Sequence, residues 1–292
     1  MYFRLLLPLM FDPRTPTGAP HLCLGVWLSF NILFNYLMCV RTDPGAVPDL
    51  FAIAEEGAPQ SDSTRAHRRW CRTCQNVKPP VSHHCSVCKR CVLKMDHHCP
   101  WMNNCVGLKN YRYFFLFLFY LWVGCAYACA VCYLPVAEEP DMLPVRMALA
   151  WLHDSVGWDA PRHGGVLLRR ELGRGETSAV MFSFILALAV FLALSLLLAW
   201  HVYLVCSAQT TIDYYGNREA SRAARREGRV WVNDLDLGLR RNWQETFDER
   251  GTLWWILWAM PRLTLHRGSG MSWPSAAAEA GKREQGQDAE ER

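Results

Sequence analysis

Three long stretches without an acidic or basic side chain decide what this sequence can fold into. Between Glu176 and Asp213 lie 36 residues whose one ionisable group near neutral pH is His201, and the centre of that run reads MFSFILALAVFLALSLLLAW. A second run, Tyr113 to Leu134, gives 22 uncharged residues, and a third, Leu22 to Val40, gives 19. About 20 residues rising ~1.5 Å each cross a hydrocarbon core of ~30 Å. Transmembrane helices are therefore expected at 22–40, 113–134 and 178–206. The apolar start, Leu5 to Phe11, is too short to cross, so residues 1–21 read as the tail of a truncated first span followed by a lumenal turn.

The whole-chain averages, 51% hydrophobic and 20% charged, are ordinary only because they mix spans with loops. A soluble enzyme, a disordered chain and a secreted disulfide scaffold are excluded. The loop 41–112 carries 11 Lys/Arg against six Asp/Glu, whereas 135–177 carries five against seven. Positive-inside bias thus places 41–112 in the cytosol, 135–177 in the lumen and the domain 207–273 in the cytosol. Residues 274–292, poor in bulky apolar side chains, read as a disordered tail. A net charge of +4 without a basic, aromatic-studded patch gives no reason to expect nucleic acid as a partner. The cluster Arg218, Arg222, Arg225, Arg226 and Arg229 reads as a solvated helix face beside anionic membrane lipid.

Seven of the 13 cysteines fall between Cys71 and Cys105, in a loop assigned to a reducing compartment where disulfides are disfavoured. Cys71, Cys74, His84 and Cys91 follow C-x2-C-x9-H-x6-C, and Cys85, Cys88, His98 and Cys105 repeat that pattern 14 residues later. Each set offers three thiolates and an imidazole, the ligands of a closed four-coordinate structural Zn2+. Two interleaved zinc sites follow, and the spacing leaves open an exchange of a ligand between them. Their binding free energy, about 10 to 16 kcal/mol in small zinc domains, would replace the apolar core that so polar a segment cannot build.

That arithmetic leaves Cys99 over, directly after Asp96, His97 and His98 in MDHHCPW. A thiol, a spare imidazole to take its proton and a carboxylate to orient the imidazole are what nucleophilic catalysis needs. Cys99, His97 and Asp96 are the candidate catalytic residues. Only a short segment separates Cys99 from the span beginning at Tyr113, so the thiol is tethered at the membrane surface. A fatty acyl-CoA could bury its chain there at about 0.8 kcal/mol per CH2 while its phosphates stay in water. Aromatics around Trp101 and in FFLFLFYLW could line the acyl cavity or simply face lipid.

The run Asp96-His97-His98-Cys99 resembles the signature of the DHHC family of integral-membrane protein S-acyltransferases. The similarity includes Lys78-Pro79, His83-His84-Cys85, the cysteine spacing, Asp96 to Trp101, Asn104-Cys105, Gly107, Asn110 and Phe114. Asp43-Pro44-Gly45 is similar to the family's DPG motif. Thr210-Thr211-Ile212-Asp213 resembles its Thr-Thr-x-Glu, with Asp213 in place of Glu, and Asn242 with Phe247 its Asn-x4-Phe element. The resemblance implies an all-α polytopic membrane protein: usually four helices, three of them clear here, with a cytosolic zinc-bound Cys-rich domain at 71–112. It implies palmitoyl transfer from palmitoyl-CoA through Cys99, activated by His97 and Asp96, to cytosolic cysteines of membrane-associated proteins. GRVWVND, RNWQETF and Gly270-Met271-Ser272-Trp273 look like an endoplasmic-reticulum subgroup, with the Golgi as the alternative. A binding-class rival is a catalytically silent, zinc-dependent membrane adaptor, which would have no use for the surplus Cys99.

Overall fold

A computed structural model describes residues 18–48, 69–137, 174–249, 252–263 and 266–270. The expected truncated span at the N-terminus, most of the loop 135–177, Met271-Ser272-Trp273 and the tail 274–292 lie outside the described residues. The described elements are α1 (Gly18–Arg41), three antiparallel hairpins, α2 (Tyr111–Ala137), α3 (Arg174–Cys206), α4 (Thr211–Arg226), α5 (Leu239–Phe247) and the short α6 (Trp254–Leu257). The hairpins pair β1 (Arg69–Cys71) with β2 (Asn76–Lys78), β3 (His83–Cys85) with β4 (Arg90–Val92), and β5 (His97–Cys99) with β6 (Asn104–Val106). Among the described residues, α1, α2 and α3 are long and apolar enough to cross a membrane. The chain is mostly helical, and the Cys-rich segment adds the hairpins.

The chain divides into two compact units. The first, residues 1–33 with 117–198, holds most of the apolar helix length. Many of its large side chains point outward, among them Phe30, Phe182, Ile185 and Leu196, as expected where the solvent is lipid. Polar side chains join helices within it. The Trp122 indole N–H donates to Ser195 Oγ at 2.8 Å, joining α2 to α3, and His21 Nδ1 lies 2.7 Å from the Tyr127 hydroxyl, joining α1 to α2. Such bonds add to close packing where lipid tails supply no hydrophobic drive between helices.

The second unit, residues 34–116 with 199–292, carries the Cys-rich hairpins. Its hairpins are fastened to the end of α1 by two asparagines. Asn104 Nδ2 donates to the carbonyls of Cys39, Val40 and Thr42 at 3.0 to 3.3 Å, and Asn110 Nδ2 to those of Cys39 and Cys105 at 3.3 and 2.8 Å. They satisfy carbonyls that a helix end otherwise leaves orphaned. The DPG segment adds a second tie. Asp43 Oδ1 accepts the N–H groups of Gly45 and Ala46 at 2.8 and 2.9 Å, its other oxygen pairs with Arg90 at 2.6 Å, and Gly45 O accepts the Leu93 N–H at 2.8 Å. Gly45 holds φ +106°, a conformation that favours glycine.

On the other side of the same unit, α5 is locked to the end of α3. Asn242 Nδ2 donates to Cys206 O at 2.8 Å and to Asp236 Oδ1 at 2.6 Å, while its own Oδ1 accepts the Leu237 N–H at 2.8 Å. Phe247 is buried edge-on to Phe115 at 5.1 Å. The buried Arg112 guanidinium donates to the carbonyls of Phe247, Leu257 and Met260 and pairs with Glu249 at 3.1 Å. One charged side chain at the start of α2 thereby gathers three backbone carbonyls of the C-terminal segment.

Gly107 admits no side chain. A Cβ there would lie 2.7 Å from Val92 Cγ1 and 2.8 and 2.9 Å from the carbonyl oxygens of Pro44 and Leu93. Backbone is what must yield, so Gly107→Ala is expected to destabilise this unit by about 1–3 kcal/mol, read as an earlier thermal loss of bound zinc.

Candidate active site

The three hairpins repeat at the 14-residue spacing of the cysteines. Their first strands end at Cys71, Cys85 and Cys99, and a residue in the left-handed region follows four positions later in each: Gln75 at φ 51°, Lys89 at φ 56° and Asn103 at φ 46°. The tight turn after each cysteine aims backbone N–H groups back at its sulfur. Cys74 N–H reaches Cys71 Sγ at 3.4 Å and Cys88 N–H reaches Cys85 Sγ at 3.3 Å. In the third hairpin the N–H groups of Met102 and Trp101 do the same for Cys99.

In the first two hairpins the geometry belongs to metal sites. Cys71, Cys74, His84 and Cys91 form one cluster and Cys85, Cys88, His98 and Cys105 the other, each with its donor atoms all within 4.8 Å of one another. His84 faces Cys91 across β3–β4 and His98 faces Cys105 across β5–β6. The hairpin β3–β4 therefore serves both clusters, which is why the two sets interleave in the sequence. Donor separations include 3.2 Å for Cys74 Sγ to His84 Nδ1, 3.8 Å for Cys91 to Cys74, 3.4 Å for Cys88 to His98 Nδ1 and 3.5 Å for Cys105 to Cys88. Tetrahedral Zn–S bonds of about 2.3 Å place sulfurs about 3.7 Å apart, so the donor set fits zinc. The electrostatics agree: burial, together with the neighbouring Cys71 and Cys74 sulfurs, pushes the Cys91 thiol up to about 12. Crowded thiols resist ionising together unless a cation sits among them.

The third hairpin breaks the pattern. Met102 stands where a second cysteine would complete the knuckle, so Cys99 keeps the N–H···S geometry of a ligand without a ligand set. It caps the 3-10 turn Pro100–Met102 and is itself buried. Its partner is His97, whose imidazole hydrogen-bonds the thiol. His97 Nδ1 is held by Asp96 Oδ2 at 2.6 Å, which leaves Nε2 for the sulfur.

Asp96 is completely buried. Its Oδ1 accepts the Thr211 N–H at 2.8 Å and its Oδ2 accepts the Thr211 hydroxyl at 3.1 Å. Burial alone would raise the Asp96 carboxyl, but the His97 bond, nearby imidazoles and the Thr211 N–H hold it below the usual range. Burial would likewise depress His97, yet Asp96 and Cys99 outweigh it and push the imidazole up to about 9. Cys99 is lowered: burial acts against its thiolate, and His97 with the two backbone N–H groups more than offsets it. The opposed shifts favour a thiolate beside an imidazolium, the pair from which a cysteine attacks an acyl carbonyl.

Thr211 reaches Asp96 because it opens α4. Thr210 is the N-cap, accepting the Asp213 N–H at 3.1 Å, while Asp213 Oδ2 accepts the Thr210 hydroxyl at 2.8 Å and its N–H at 3.2 Å. Asp213 therefore closes a capping box despite being shorter than Glu, and its Oδ1 also approaches His83 Nε2 at 3.7 Å. Trp101, a candidate for the acyl-binding wall, is 85% exposed beside Cys99, and its carbonyl accepts from the Tyr36 hydroxyl at 3.4 Å. Sequence reasoning gave His201 and Tyr111 no part in the site. His201 is buried, 3.1 Å from the Tyr111 hydroxyl, and its ring lies 6.2 Å from that of His97, with Phe114 edge-on to both at 5.1 Å. A histidine inside the longest apolar run was the available signal.

Fold and site together define a polytopic membrane protein whose Cys/His-rich module holds two zinc-type clusters and a separate cysteine–histidine–aspartate cluster. Residues 64–218 match the family model of the DHHC palmitoyltransferases. Probable protein S-acyltransferase 16 of Arabidopsis thaliana is 35% identical over 237 residues, covering 80% of this chain and 74% of the relative. Probable protein S-acyltransferase 15 of the same plant is 32% identical over 263 residues, covering 90% and 91%, respectively. Palmitoyltransferase ZDHHC16A of Danio rerio is 32% identical over 293 residues, covering 92% and 72%. The chain belongs to the DHHC palmitoyltransferase family, and its activity is that of a protein S-palmitoyltransferase.

Because the metal clusters stand where a hydrophobic core would, a strong chelator is expected to release two zinc ions per chain, one from each cluster, and to unfold the hairpins. Zinc release and loss of amide protection in the Cys-rich segment should coincide.

Proposed function

We propose that Cys99 is the nucleophile of a two-step acyl transfer, with His97 as its proton acceptor and donor and Asp96 as the group that orients His97. The observation that carries this reading is the chain of contacts from Thr211 through Asp96 to His97 Nδ1, at 2.8 and 2.6 Å, ending on a thiol that neither metal cluster uses.

In the first step the Cys99 thiolate attacks the thioester carbonyl of palmitoyl-CoA. A new C–S bond forms, the bond to the CoA sulfur breaks, and the departing thiolate takes the proton held on His97. The overall exchange of one thioester for another is close to thermoneutral. In the second step neutral His97 takes the proton of a cysteine thiol on a membrane-associated protein, that sulfur attacks the Cys99 thioester, and Cys99 leaves as the thiolate. Zinc supplies structure only: the eight ligands hold the hairpins, and no bond in either step passes through the metal. Trp101, exposed next to Cys99, is suited to meet the acyl chain where it enters lipid. The excess of basic residues in 41–112 supports a cytosolic position for the site, and the subgroup resemblance supports the endoplasmic reticulum.

Incubation of the purified chain with palmitoyl-CoA should give a hydroxylamine-labile acyl adduct on the Cys99 peptide. Cys99→Ser should lose that adduct while keeping two zinc ions. Failure of folded, fully metallated protein to form it would instead favour the adaptor reading. Asp96→Asn, which offers His97 an amide in place of a carboxylate, should slow adduct formation by about 10^3- to 10^4-fold, on the scale seen when a triad carboxylate is neutralised. Thr211→Val should slow it less, because one N–H to Asp96 survives; single-turnover acylation rates separate the two.

A further inference from the structure

The arginines of α4 do more than decorate a solvated face. Arg218, Arg222 and Arg225 recur at i, i+4 and i+7, on one side of the helix, and all three line a cavity of about 430 Å³. Asn217 and Ser221 line the same wall, while Tyr203 and Trp231 face it. Tyr203 lies in the last turn of α3. The segment carrying Trp231 is pinned to that end of α3 by Asn233 Nδ2, which donates to Ser207 O at 2.8 Å. The cavity thus opens where a membrane-spanning helix ends, the depth at which lipid headgroups sit and at which aromatic side chains are favoured.

Among the described residues its charge is uncompensated. No carboxylate lines the cavity, and no ion pair joins any of the three arginines to a described acidic group. Glu227, just beyond the helix, is engaged by Arg229 instead. Three exposed arginines lining one groove beside an amide and a hydroxyl are a donor set for phosphate oxygens, which arginine binds bidentately. The groove is open to solvent, and three arginines spread over two turns of α4 match a ligand that carries several phosphates rather than one.

We propose that this cavity binds the polyphosphorylated headgroup of an anionic membrane lipid. A second consequence rests on the reading of the Cys99 site. Thr211, which holds Asp96, opens the helix that carries the three arginines, so an occupied cavity fixes α4 and with it the Asp96 carboxylate. Lipid binding then speeds acylation.

The test uses the full chain as Cys99→Ser, in nanodiscs, with headgroup binding as the readout, so that it is independent of catalysis. Phosphatidylinositol bisphosphate in a neutral lipid background should bind saturably. The triple variant Arg218→Gln, Arg222→Gln, Arg225→Gln should weaken binding roughly a hundredfold, from about a fivefold contribution per basic residue at a membrane surface. The pair Arg226→Gln, Arg240→Gln, as exposed as the three but outside the groove, should change it little. Retention of two zinc ions checks that each variant is folded. The proposal is overturned if phosphatidylserine at equal charge binds as well, if the control pair weakens binding as much as the triple variant, or if free CoA displaces the lipid. Equal affinity for soluble inositol phosphate beside neutral discs would overturn the lipid as the source. With Cys99 intact, the lipid should raise the acylation rate of the wild type and not of the triple variant. A headgroup that binds without that rate effect sinks the coupling to Asp96 and leaves the site.

Discussion

A segment of this length, carrying charged, polar and cysteine side chains at most positions, has too little apolar surface to hold itself folded, and its strands are only three residues each. What replaces a core is coordination. Two clusters of three sulfurs and one imidazole, each spanning two hairpins, fix the relative placement of β1 to β6, and everything the site requires is referred to that frame. Asn104 and Asn110 then spend their side-chain amides on the carbonyls ending α1, and Gly107 lets the chain pass against Pro44 and Leu93. Metal, cap and close approach together determine where β5 ends, and β5 ends on Cys99.

The nucleophile candidate is therefore built from a structural device. In the first two hairpins, N–H groups pointing at sulfur help the cysteine serve as an ionised ligand. In the third, Met102 breaks the ligand set but leaves the backbone turn, so the same donors lower the Cys99 thiol, as the proposed nucleophile requires. His97 then supplies the positive charge that a metal supplies elsewhere. Asp96 can hold that charge because it is buried: at low local dielectric a carboxylate satisfied by Thr211 and His97 interacts far more strongly than a solvated one.

Much of this was legible in the sequence because the deciding constraints are local in the chain. Charge-free runs of membrane length show as helices, and a ligand pattern repeated at a fixed offset shows as paired clusters. The surplus of Cys99 is a matter of counting. What the sequence did not disclose depends on long-range packing. Nothing local in His201 or Tyr111 says that they meet beside His97, since they are far apart in sequence and are joined only by the meeting of α2 and α3. Arg112 reads as one more basic residue at a membrane boundary, and only the fold shows it collecting the carbonyls of Phe247, Leu257 and Met260. Asp213 shows the converse, because a departure from the family's glutamate reads as a loss until the capping box shows the shorter side chain filling a local role.

The same economy explains why the start of α4 bears on the chemistry. The capping box satisfies the N–H groups of Thr210 and Asp213, while the Thr211 N–H, at the first helical position and without an intrahelical acceptor, donates to Asp96. A helix N-terminus favours negative charge, by about 0.3 to 1 kcal/mol at exposed sites and more where water is excluded. Asp96 is thus held ionised by a backbone group and a dipole, neither of which can lose a proton. Both Thr211 contacts depend on the orientation of α4, because a small rotation of that helix would lengthen them together. The hydrogen bonds of Asn242 to Cys206 O and of Asn233 to Ser207 O hold the C-terminal segment against the turn that leads into α4, the helix whose first residue contacts Asp96.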